Sequence, residues 1–412
     1  MPRLKLLGPF TQIILMQGLP ASGRISDEQL KIIPEGGILV QKGRVIQTGH
    51  YQNLKKQNAQ SDAEICEYDR PLVLIPGLID AHTHICYAGS RHHDYAKRLS
   101  GISYIEIAKQ GGGIMDTVWK TRAASLADLI KSLTARCDAQ LANGITTCEV
   151  KSGYGLDVQN ELKMLQAIRS VNGRHTIDLV PTALPAHVCP TEFDHPDEYI
   201  EMVIRELLPQ IRKKNLAERA DIYIDAGAFT AKQAEVYLKA ARDLGFSLTV
   251  HGDQFSTGGS RLAAAFRAVS VDHLEVSGPD EIRQLAEKQI IGIVLPGACM
   301  GLGVPFAPAR SMIDAGMTVA IASDWNPGSA PMGDLLAQAS VLCAYEKLSL
   351  AETLAGITIH AARALELTDR GSLENGNLAD LVAFPCSDYR EIFYRQGALK
   401  PVHIWKNGEQ VK

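Results

Sequence analysis

Short apolar runs alternate with amphipathic, helix-like stretches through the middle of the chain. Eight such runs follow one another, at residues 72–84, 144–155, 177–187, 220–227, 247–255, 268–275, 290–297 and 318–329. Apolar runs that alternate with helices are typical of a parallel sheet. Eight repeats over roughly 250 residues favour closure into a TIM-like (β/α)8 barrel, so the sequence predicts an α/β fold. A doubly wound open sheet is the alternative.

Two of the intervening helices can be placed from their own residues. Apolar residues recur at helical spacing on one face from Leu126 onwards, and Gly144 lies just past the end of this stretch, where helix termini favour glycine. A second helix begins at Thr230, which forms a capping-box pattern with Gln233, and it ends near Gly245. Both stretches have the length expected of helices that connect parallel strands.

The two ends of the chain have a different texture from its middle. Short β-like runs such as GGILVQKGRVIQTG near the start, and GNLADLVAFP and PVHIWKNGEQV near the end, alternate apolar residues across turn residues. This shared texture predicts one small β-sandwich domain formed from both chain termini. Its two parts are residues 1–70 and 371–412, and they flank the barrel at residues 71–370.

Composition excludes some classes of function. The 412 residues are 46% hydrophobic and 21% charged, as in an ordinary folded α/β protein, and they suffice for a sizeable core. The net charge of -4 comes without a long run of either sign, so neither nucleic acid nor an anionic membrane is expected as a partner. Glycine-rich nucleotide-binding patterns are also absent, and we expect a small-molecule substrate.

The eight cysteines lie far apart without a C-x-x-C pair, which predicts free thiols and not a disulfide framework. The first twenty residues are interrupted by Gly, Pro and Gln before a signal-peptide core can form, and no apolar run reaches transmembrane length. These observations together predict a cytoplasmic location.

Polar side chains cluster at the C-terminal ends of the runs, where barrel enzymes carry their chemistry. His82 and His84 stand two apart at the end of the first run, so on a strand both imidazoles face one side and can reach one ion. A lone H-x-H pair is more often two ordinary polar residues at a strand end than a metal pair. However, His251 ends the fifth run, His273 the sixth and Asp324 the eighth. Five such groups at one barrel mouth predict a metal site.

The run PGLIDAHTH, the histidines ending the fifth and sixth runs and the aspartate ending the eighth resemble the amidohydrolase superfamily over essentially the whole chain. This resemblance implies four metal ligands: His82, His84, His251 and Asp324. It also implies that His273 is a base or substrate contact beside them. Binuclear members add a carboxylated lysine or a glutamate at the end of strand four. That run ends here with Asp225, which leaves some room for a second ion, but one divalent metal ion per chain, zinc or iron, is expected.

Several local strings narrow the resemblance: HICYAGSRHHDY, QGGGI, EVKSGYGL, LPAH, HGDQF and SDWNPGS. Their combination is similar to the imidazolonepropionase family. The resemblance implies hydrolysis of the cyclic amide of 4-imidazolone-5-propanoate to N-formimidoyl-L-glutamate in histidine degradation, and it suggests a homodimer. Another cyclic amidase or an amino-heterocycle deaminase of the superfamily, or a non-catalytic barrel scaffold, are the alternatives.

A flat heterocycle with a propionate tail needs a cation for its carboxylate and hydrogen-bonding groups for its ring. The resemblance implies seven substrate-binding residues: Arg91, Tyr154, His187, Gln254, Asn326, Gly328 and Ser329. Arg91 would bind the carboxylate with Tyr154 beside it, although a loop arginine in solvent is the simpler interpretation. His187 could likewise be a hydrogen-bonded rim histidine, and the Asn-Pro-Gly sequence could form an ordinary turn.

Gln254 separates two kinds of chemistry. Mononuclear deaminases of the superfamily commonly carry glutamate three residues after the fifth-strand histidine, where it passes protons to the departing amine. Glutamine cannot carry that proton, although it can donate to and accept from a ring edge. The sequence therefore favours amide hydrolysis, in which Asp324 or His273 takes the proton of the attacking water and returns it to the leaving ring nitrogen.

Overall fold

The computed structural model describes residues 3–102 and 104–412. The strands in these residues form two sheets of eight strands each. The strands, numbered along the chain, are β1 (Lys5–Ile14), β2 (Ile32–Gln41), β3 (Arg44–His50), β4 (Glu64–Cys66), β5 (Val73–Pro76), β6 (Leu78–Asp80), β7 (Ile145–Lys151), β8 (Asp178–Ala186), β9 (Arg219–Ile224), β10 (Ser247–Gly252), β11 (Ser270–His273), β12 (Ile291–Val294), β13 (Val319–Ile321), β14 (Leu381–Phe384), β15 (His403–Lys406) and β16 (Glu409–Gln410).

The α-helices fill most of the chain between these strands, and a π-helical segment over Val203–Leu207 joins two of them. They are α1 (Tyr51–Gln57), α2 (His92–Leu99), α3 (Tyr104–Lys109), α4 (Ile114–Ala123), α5 (Leu126–Ala142), α6 (Val158–Asn172), α7 (Pro196–Met202), α8 (Leu208–Lys213), α9 (Ala231–Asp243), α10 (Gly259–Phe266), α11 (Pro279–Glu287), α12 (Pro296–Leu302), α13 (Ala309–Asp314), α14 (Leu335–Glu346), α15 (Leu350–Gly356), α16 (Ile359–Ala364) and α17 (Arg390–Tyr394).

Strands β6 to β13 form the barrel, each pairing in parallel with the next along the chain. The seam between the first and the eighth barrel strand is joined just beyond their ends. There the backbone N–H of His84 donates to the carbonyl of Trp325 at 3.0 Å, and that of Asp324 donates to the carbonyl of His82 at 3.0 Å. The predicted barrel is therefore confirmed, and the alternative of a doubly wound open sheet is wrong.

The second sheet combines both ends of the chain, as the sequence predicts. Strands β1 to β5 come from the N-terminal part and β14 to β16 from the C-terminal part, with β5 pairing with both β1 and β14. Its buried face includes Phe10, Ile38, Leu74, Leu381 and Trp405, which form a core separate from that of the barrel. The exact domain boundaries near residues 70 and 370 stay predictions.

The first apolar run was predicted to form one strand. In the structure it forms two strands, which belong to different sheets. Strand β5 lies in the terminal sheet and β6 in the barrel, with Gly77 between them. A side chain at Gly77 would collide with Thr146, since a Cβ there would lie 2.2 Å from the Thr146 Oγ1. The run is apolar on both sides of Gly77, from Leu72 to Pro76 and again at Leu78 and Ile79, and apolarity alone does not show where the chain changes sheets.

Both helices placed from the sequence are present. Helix α5 begins after Ser125, whose side chain accepts a hydrogen bond from the backbone of Asp128, and Gly144 beyond its end has a φ of +92°. Helix α9 begins after Thr230, whose hydroxyl accepts from the backbone of Gln233. The predicted free thiols are also confirmed, because all eight cysteines lack disulfide partners. Among the described helices, none has the length and apolarity that a membrane crossing requires.

Candidate active site

The end of the first barrel strand is fixed by a buried carboxylate. Asp80, the last residue of β6, accepts hydrogen bonds from the backbone N–H of Ser323 at 2.9 Å and from its hydroxyl at 2.5 Å. Gln140 of α5 donates to the same carboxylate at 3.0 Å. Because Ser323 follows β13, these bonds hold the two strands that carry His82 and Asp324 in a fixed relation.

Three imidazoles meet at the barrel mouth. The Nε2 atom of His84 lies 3.2 Å from Nε2 of His82 and 3.3 Å from Nε2 of His251. A carboxylate oxygen of Asp324, Oδ1, lies 3.5 Å from Nε2 of His82 and 3.4 Å from Nε2 of His84. Ligand atoms about 2.0 to 2.1 Å from a tetrahedral zinc ion are about 3.3 Å apart. The spacing therefore fits a metal ion.

The protonation of these imidazoles also fits metal binding. Burial lowers the pKa of His251 to about 4 and the pKa values of His82 and His84 well below the ordinary histidine value. Neutral imidazole is the form that binds a metal. The lone pairs on Nε2 atoms this close repel one another, and a cation bound between them removes that repulsion. His82, His84 and His251 form one buried group of potential ligands.

Carboxylates behind the imidazoles fix their orientation. Nδ1 of His82 is hydrogen-bonded to Oδ2 of Asp272 at 2.6 Å, and Nδ1 of His251 lies 2.9 Å from Oδ2 of Asp221. A carboxylate at Nδ1 fixes the tautomer of an imidazole and raises the basicity of its other nitrogen. The Nε2 atoms of both rings are therefore directed to the common centre.

The loop after β13 is organised around Asn326. Its amide nitrogen donates to Asp324 Oδ2 at 2.9 Å and to Ser329 Oγ at 2.9 Å, while its oxygen accepts from the backbone N–H groups of Gly328 and Ser329 at 2.7 and 2.8 Å. Asp324 itself has a φ of +50°, an uncommon value that this network holds in place. Asn326 thus positions the carboxylate of Asp324 and the loop beside it.

His273 lies beside the three imidazoles and is not part of their group. Its ring centroid is 5.4 Å from that of His251 and 6.0 Å from that of His82. Nδ1 of His273 lies 3.3 Å from Oε1 of Glu275. Burial lowers the pKa of His273, but the carboxylates of Glu275, Asp324 and Asp272 together raise that pKa to about 8, while burial raises the pKa of Asp324 to about 7. The pairing with Glu275 therefore favours the protonated form of His273.

Arg91 and Gly328 both line a cavity of about 170 Å³. Nε of Arg91 donates to Oδ2 of Asp94 at 3.0 Å, and the backbone N–H of Gly113, in the QGGGI string, donates to the same oxygen at 2.8 Å. A Cβ at residue 328 would lie 2.5 Å from Nη1 of Arg91. The glycine therefore admits the guanidinium to the loop that carries Asp324.

Tyr154 and His187 lie beside His84 in the imidazole group. The ring of His187 stacks on that of His84, with centroids 5.1 Å apart, and Tyr154 lies 5.5 Å from His187. Nδ1 of His187 is hydrogen-bonded to the carbonyl of Gly153 at 3.0 Å. Burial lowers the pKa of His187 to about 4, so its ring is neutral.

Gln254 and Asp225 have clear partners. The hydroxyl of Tyr223 donates to the Gln254 side-chain oxygen at 2.7 Å. Asp225 accepts from the backbone of Gln254 and Phe255 at 3.1 and 2.8 Å, and from the Ser256 hydroxyl at 2.6 Å. Both carboxylate oxygens of Asp225 are thus used to build the turn after β10, which argues against a bridging role for this residue.

Four charged residues beneath the imidazoles were not among the predicted site residues: Glu149, Lys151, Asp221 and Asp272. All four are buried on barrel strands. A signal was available, because charged residues inside otherwise apolar strands are rarely buried without partners, and Glu149 and Lys151 stand two apart on one strand face. Their partners on other strands could not be read from spacing.

A known protein family matches most of this chain. The profile described as Amidohydrolase family matches residues 73–411. The imidazolonepropionase of Bdellovibrio bacteriovorus is 38% identical over 98% of this chain and 96% of its own length. The chain belongs to the imidazolonepropionase family. The imidazolonepropionase of Geobacillus kaustophilus is also 38% identical, over 97% of this chain and 96% of its own. Membership makes the chain a metal-dependent hydrolase.

Solved structures agree with the imidazolonepropionase chain at the level of fold. An adenosine deaminase from Xanthomonas campestris with bound zinc has a TM-score of 0.71 at 16% identity, and the match covers 99% of this chain and 92% of that one. A triazine hydrolase variant has a TM-score of 0.74 at 16% identity, covering 99% and 94%. At this identity the likeness shows a shared architecture only.

Proposed function

We propose that this chain hydrolyses the cyclic amide bond of 4-imidazolone-5-propanoate and releases N-formimidoyl-L-glutamate, a step of histidine degradation. The observation that carries the proposal is the position of Arg91. Its guanidinium approaches Gly328, four residues after Asp324, so a cation lies against the loop that carries a proposed metal ligand. A substrate with a ring and an acidic tail needs such a cation in addition to groups for its ring.

The proposed ligands of one divalent ion per chain are His82, His84, His251 and Asp324. Three imidazoles and a carboxylate suit zinc, and they also suit iron. Such an ion supplies an acidified water and polarisation of the ring carbonyl. The stoichiometry of one is supported by Asp225, whose oxygens bind the backbone and side chain of the turn after β10.

The remaining residues bind and orient the substrate in this proposal. Arg91 binds the propionate through its guanidinium, which Asp94 holds from behind. Tyr154 and His187 face the ring from one side, and Gln254 presents its amide to a ring edge. Gly328 and Ser329 allow the backbone to approach the ring, while Asn326 keeps the Asp324 carboxylate in place. A ring positioned in this way needs little reorganisation before attack.

Two groups handle protons and developing charge. The Asp324 carboxylate faces the ligand centre and is placed to accept a proton from the attacking water. His273 is paired with Glu275, which favours its protonated form, and in that form it donates to the carbonyl oxygen as negative charge develops there. The proton then returns to the leaving ring nitrogen.

The test is an assay that separates ring opening from deamination. Purified protein is given freshly prepared imidazolone propionate and, in parallel, a panel of cyclic amides and amino-heterocycles, and products are followed by mass spectrometry and ammonia release. We expect formimidoylglutamate without ammonia. Ammonia release from an amino-heterocycle, with no ring opening of the imidazolone, would establish the deaminase alternative that Gln254 argues against.

We also propose that the chain forms a homodimer and that it is located in the cytoplasm. The dimer rests on resemblance to the family, and sedimentation velocity of the purified chain measures it directly. The location rests on the eight free thiols, since reduced cysteines are typical of that compartment. Fractionation of cells that express a tagged chain tests it.

A further inference from the structure

Lys151, the last residue of β7, places an ammonium group inside the barrel. Its side chain is 1% exposed, and Nζ lies 2.7 Å from Oε1 of Glu149, 2.8 Å from Oδ2 of Asp221 and 3.5 Å from Oδ2 of Asp272. These residues come from the second, fourth and sixth barrel strands, and alternate strands of a barrel contribute side chains to one interior layer. Lys151 is therefore the cation of a charged layer below the barrel mouth.

Each of the three carboxylates around Lys151 also contacts the segments that carry the proposed metal ligands. Asp272 is hydrogen-bonded to His82, and Asp221 lies against His251. Glu149 accepts from the backbone N–H of Thr83, between His82 and His84, at 3.3 Å. Among the described residues, the ion pairs of Lys151 are with Glu149, Asp221 and Asp272 and not with a proposed ligand. Each of these carboxylates contacts a ligand or the residue between two ligands.

The same carboxylates could hold a second cation. Asp221, His251 and Asp272 form a second buried group whose ligand atoms all lie within 4.8 Å of one another. The Lys151 ammonium already lies against both of these aspartates. Buried carboxylates are stable only when they are paired, and removing one partner of a buried ion pair leaves uncompensated charge.

We propose that Lys151 is a positioning residue whose ammonium serves as a fixed internal cation, holding Asp221 and Asp272 in the orientation that directs His251 and His82 to the metal. The proposal rests on the metal ligands of the proposed function and not on its substrate. It makes metal affinity depend on a residue that touches neither metal nor substrate. Positioning partners of metal ligands typically contribute about 10-fold to 100-fold to metal affinity.

The experiment measures how tightly the full chain binds Zn²⁺ in the absence of substrate. The affinity is determined by competition with a chromophoric chelator. Lys151→Met should bind zinc about 10-fold to 100-fold more weakly than the parent. The matched control is Lys406→Met, because Lys406 is 3% exposed and pairs with Asp178 at 2.7 Å and with Asp380 at 2.5 Å, outside the site. Both variants should lose thermal stability, and only Lys151→Met should lose affinity.

Two further variants keep the test decisive. Lys151→Gln retains a polar donor and removes the charge, so it replaces Lys151→Met if the methionine variant does not fold, with the same expected loss of affinity. Lys151→Arg retains the charge and should recover part of the affinity. Zinc binding within twofold of the parent in the uncharged variant, with a stability loss like that of Lys406→Met, would show a purely structural lysine and overturn the proposal.

The controls separate this inference from the proposed function. A parent chain that binds no zinc would remove the metal site and this proposal together. A parent chain that binds zinc while the uncharged Lys151 variant binds it equally well would overturn the role of Lys151 alone. Because no substrate is present in the assay, an error in the substrate assignment leaves the result unaffected.

Discussion

Arg91 is the single residue on which the proposed substrate depends most. Nε of Arg91 donates to Asp94, and Nη1 lies against the loop of Gly328. In the proposed function the same guanidinium binds the propionate of the substrate. A hydrogen bond to a charged group contributes about 1.5 to 3 kcal/mol. Arg91→Met should therefore lower kcat/KM by about 10-fold to 150-fold in steady-state assays.

The control for this prediction is a cation on α2, the helix that follows Arg91. Lys97 lies on α2, and its ammonium donates to the side chain of Gln110 on the surface. Lys97→Met should leave kcat/KM unchanged. An unchanged value for Arg91→Met on the full substrate would remove Arg91 from the site, and with it the argument for an acidic tail.

His273 should have a kinetic role and no role in holding the metal. Its Nδ1 is engaged by Glu275, and its ring lies outside the group formed by His82, His84 and His251. General acid and base groups typically contribute about 10²-fold to 10⁴-fold. His273→Ala should lower kcat by that range while the metal content, measured by elemental analysis, stays at the parental value.

The same variant distinguishes the other roles of His273. If it were a ligand, the metal would be depleted and added zinc would restore part of the activity. Full metal with near-normal turnover would refute both roles and leave Asp324 as the proton carrier. Asp324→Asn is the companion variant, and it should lose turnover while its circular dichroism spectrum remains that of a folded barrel.

How much of the site could be predicted depended on residue type and position. His82, His84, His251 and Asp324 were recognisable because each follows an apolar run, and strand ends in a barrel meet at one mouth. Asp225 occupies a similar position, yet its carboxylate binds the backbone of the turn after β10. That use depends on contacts across two strands, which linear spacing does not contain.

At the scale of elements, the loop between β7 and α6 shows how a helix positions a substrate residue. Glu161 of α6 is fully buried, and its Oε1 accepts from the backbone N–H groups of Gly153, Gly155 and Leu156 at 3.1, 2.7 and 2.9 Å. These three bonds fold the loop that carries Tyr154. The helix therefore determines where that ring stands.

Glu161→Leu should disturb this loop because three buried backbone donors would lose their acceptor. Leaving a buried donor unpaired costs about 1 to 3 kcal/mol. We expect a lower free energy of unfolding by at least that amount in denaturant titrations, and a higher KM because Tyr154 is displaced. Glu161→Gln retains a carbonyl oxygen as acceptor and should keep most of both properties. Equal KM values in the leucine variant and the parent would separate the loop from substrate binding.

The elements themselves were predicted best where their ends are marked. Helices α5 and α9 have capping residues at the start, and α5 is followed by a left-handed glycine, so their limits were visible in the sequence. The run at residues 72–84 carries no such mark at Gly77, and the two strands it contains belong to different sheets. A change of sheet is decided by pairing partners and not by local apolarity.

At the scale of the whole molecule, metal binding should stabilise the folded chain. An ion that binds only the native state stabilises it by about 2.7 kcal/mol when its free concentration is 100 times its Kd. Removing metal with a chelator should therefore lower the apparent Tm in scanning calorimetry, and zinc should restore it. Elemental analysis of the restored protein should give a ratio near one ion per chain. A ratio near two, with both ions required for activity, would contradict the single-ion site.

The hydrogen bonds across the seam between β6 and β13 have a consequence for how the chain acquires its ion during synthesis. His82 and His84 leave the ribosome with the first barrel strand, whereas Asp324 emerges only after the eighth, and its backbone then bonds to that of His82. Closing so long a stretch of chain costs entropy that only late, non-local contacts repay. A stalled or truncated nascent chain that ends before β13 holds three of the four ligands and neither seam bond. The complete set of four proposed ligands therefore exists only in a chain whose eighth barrel strand has joined its first.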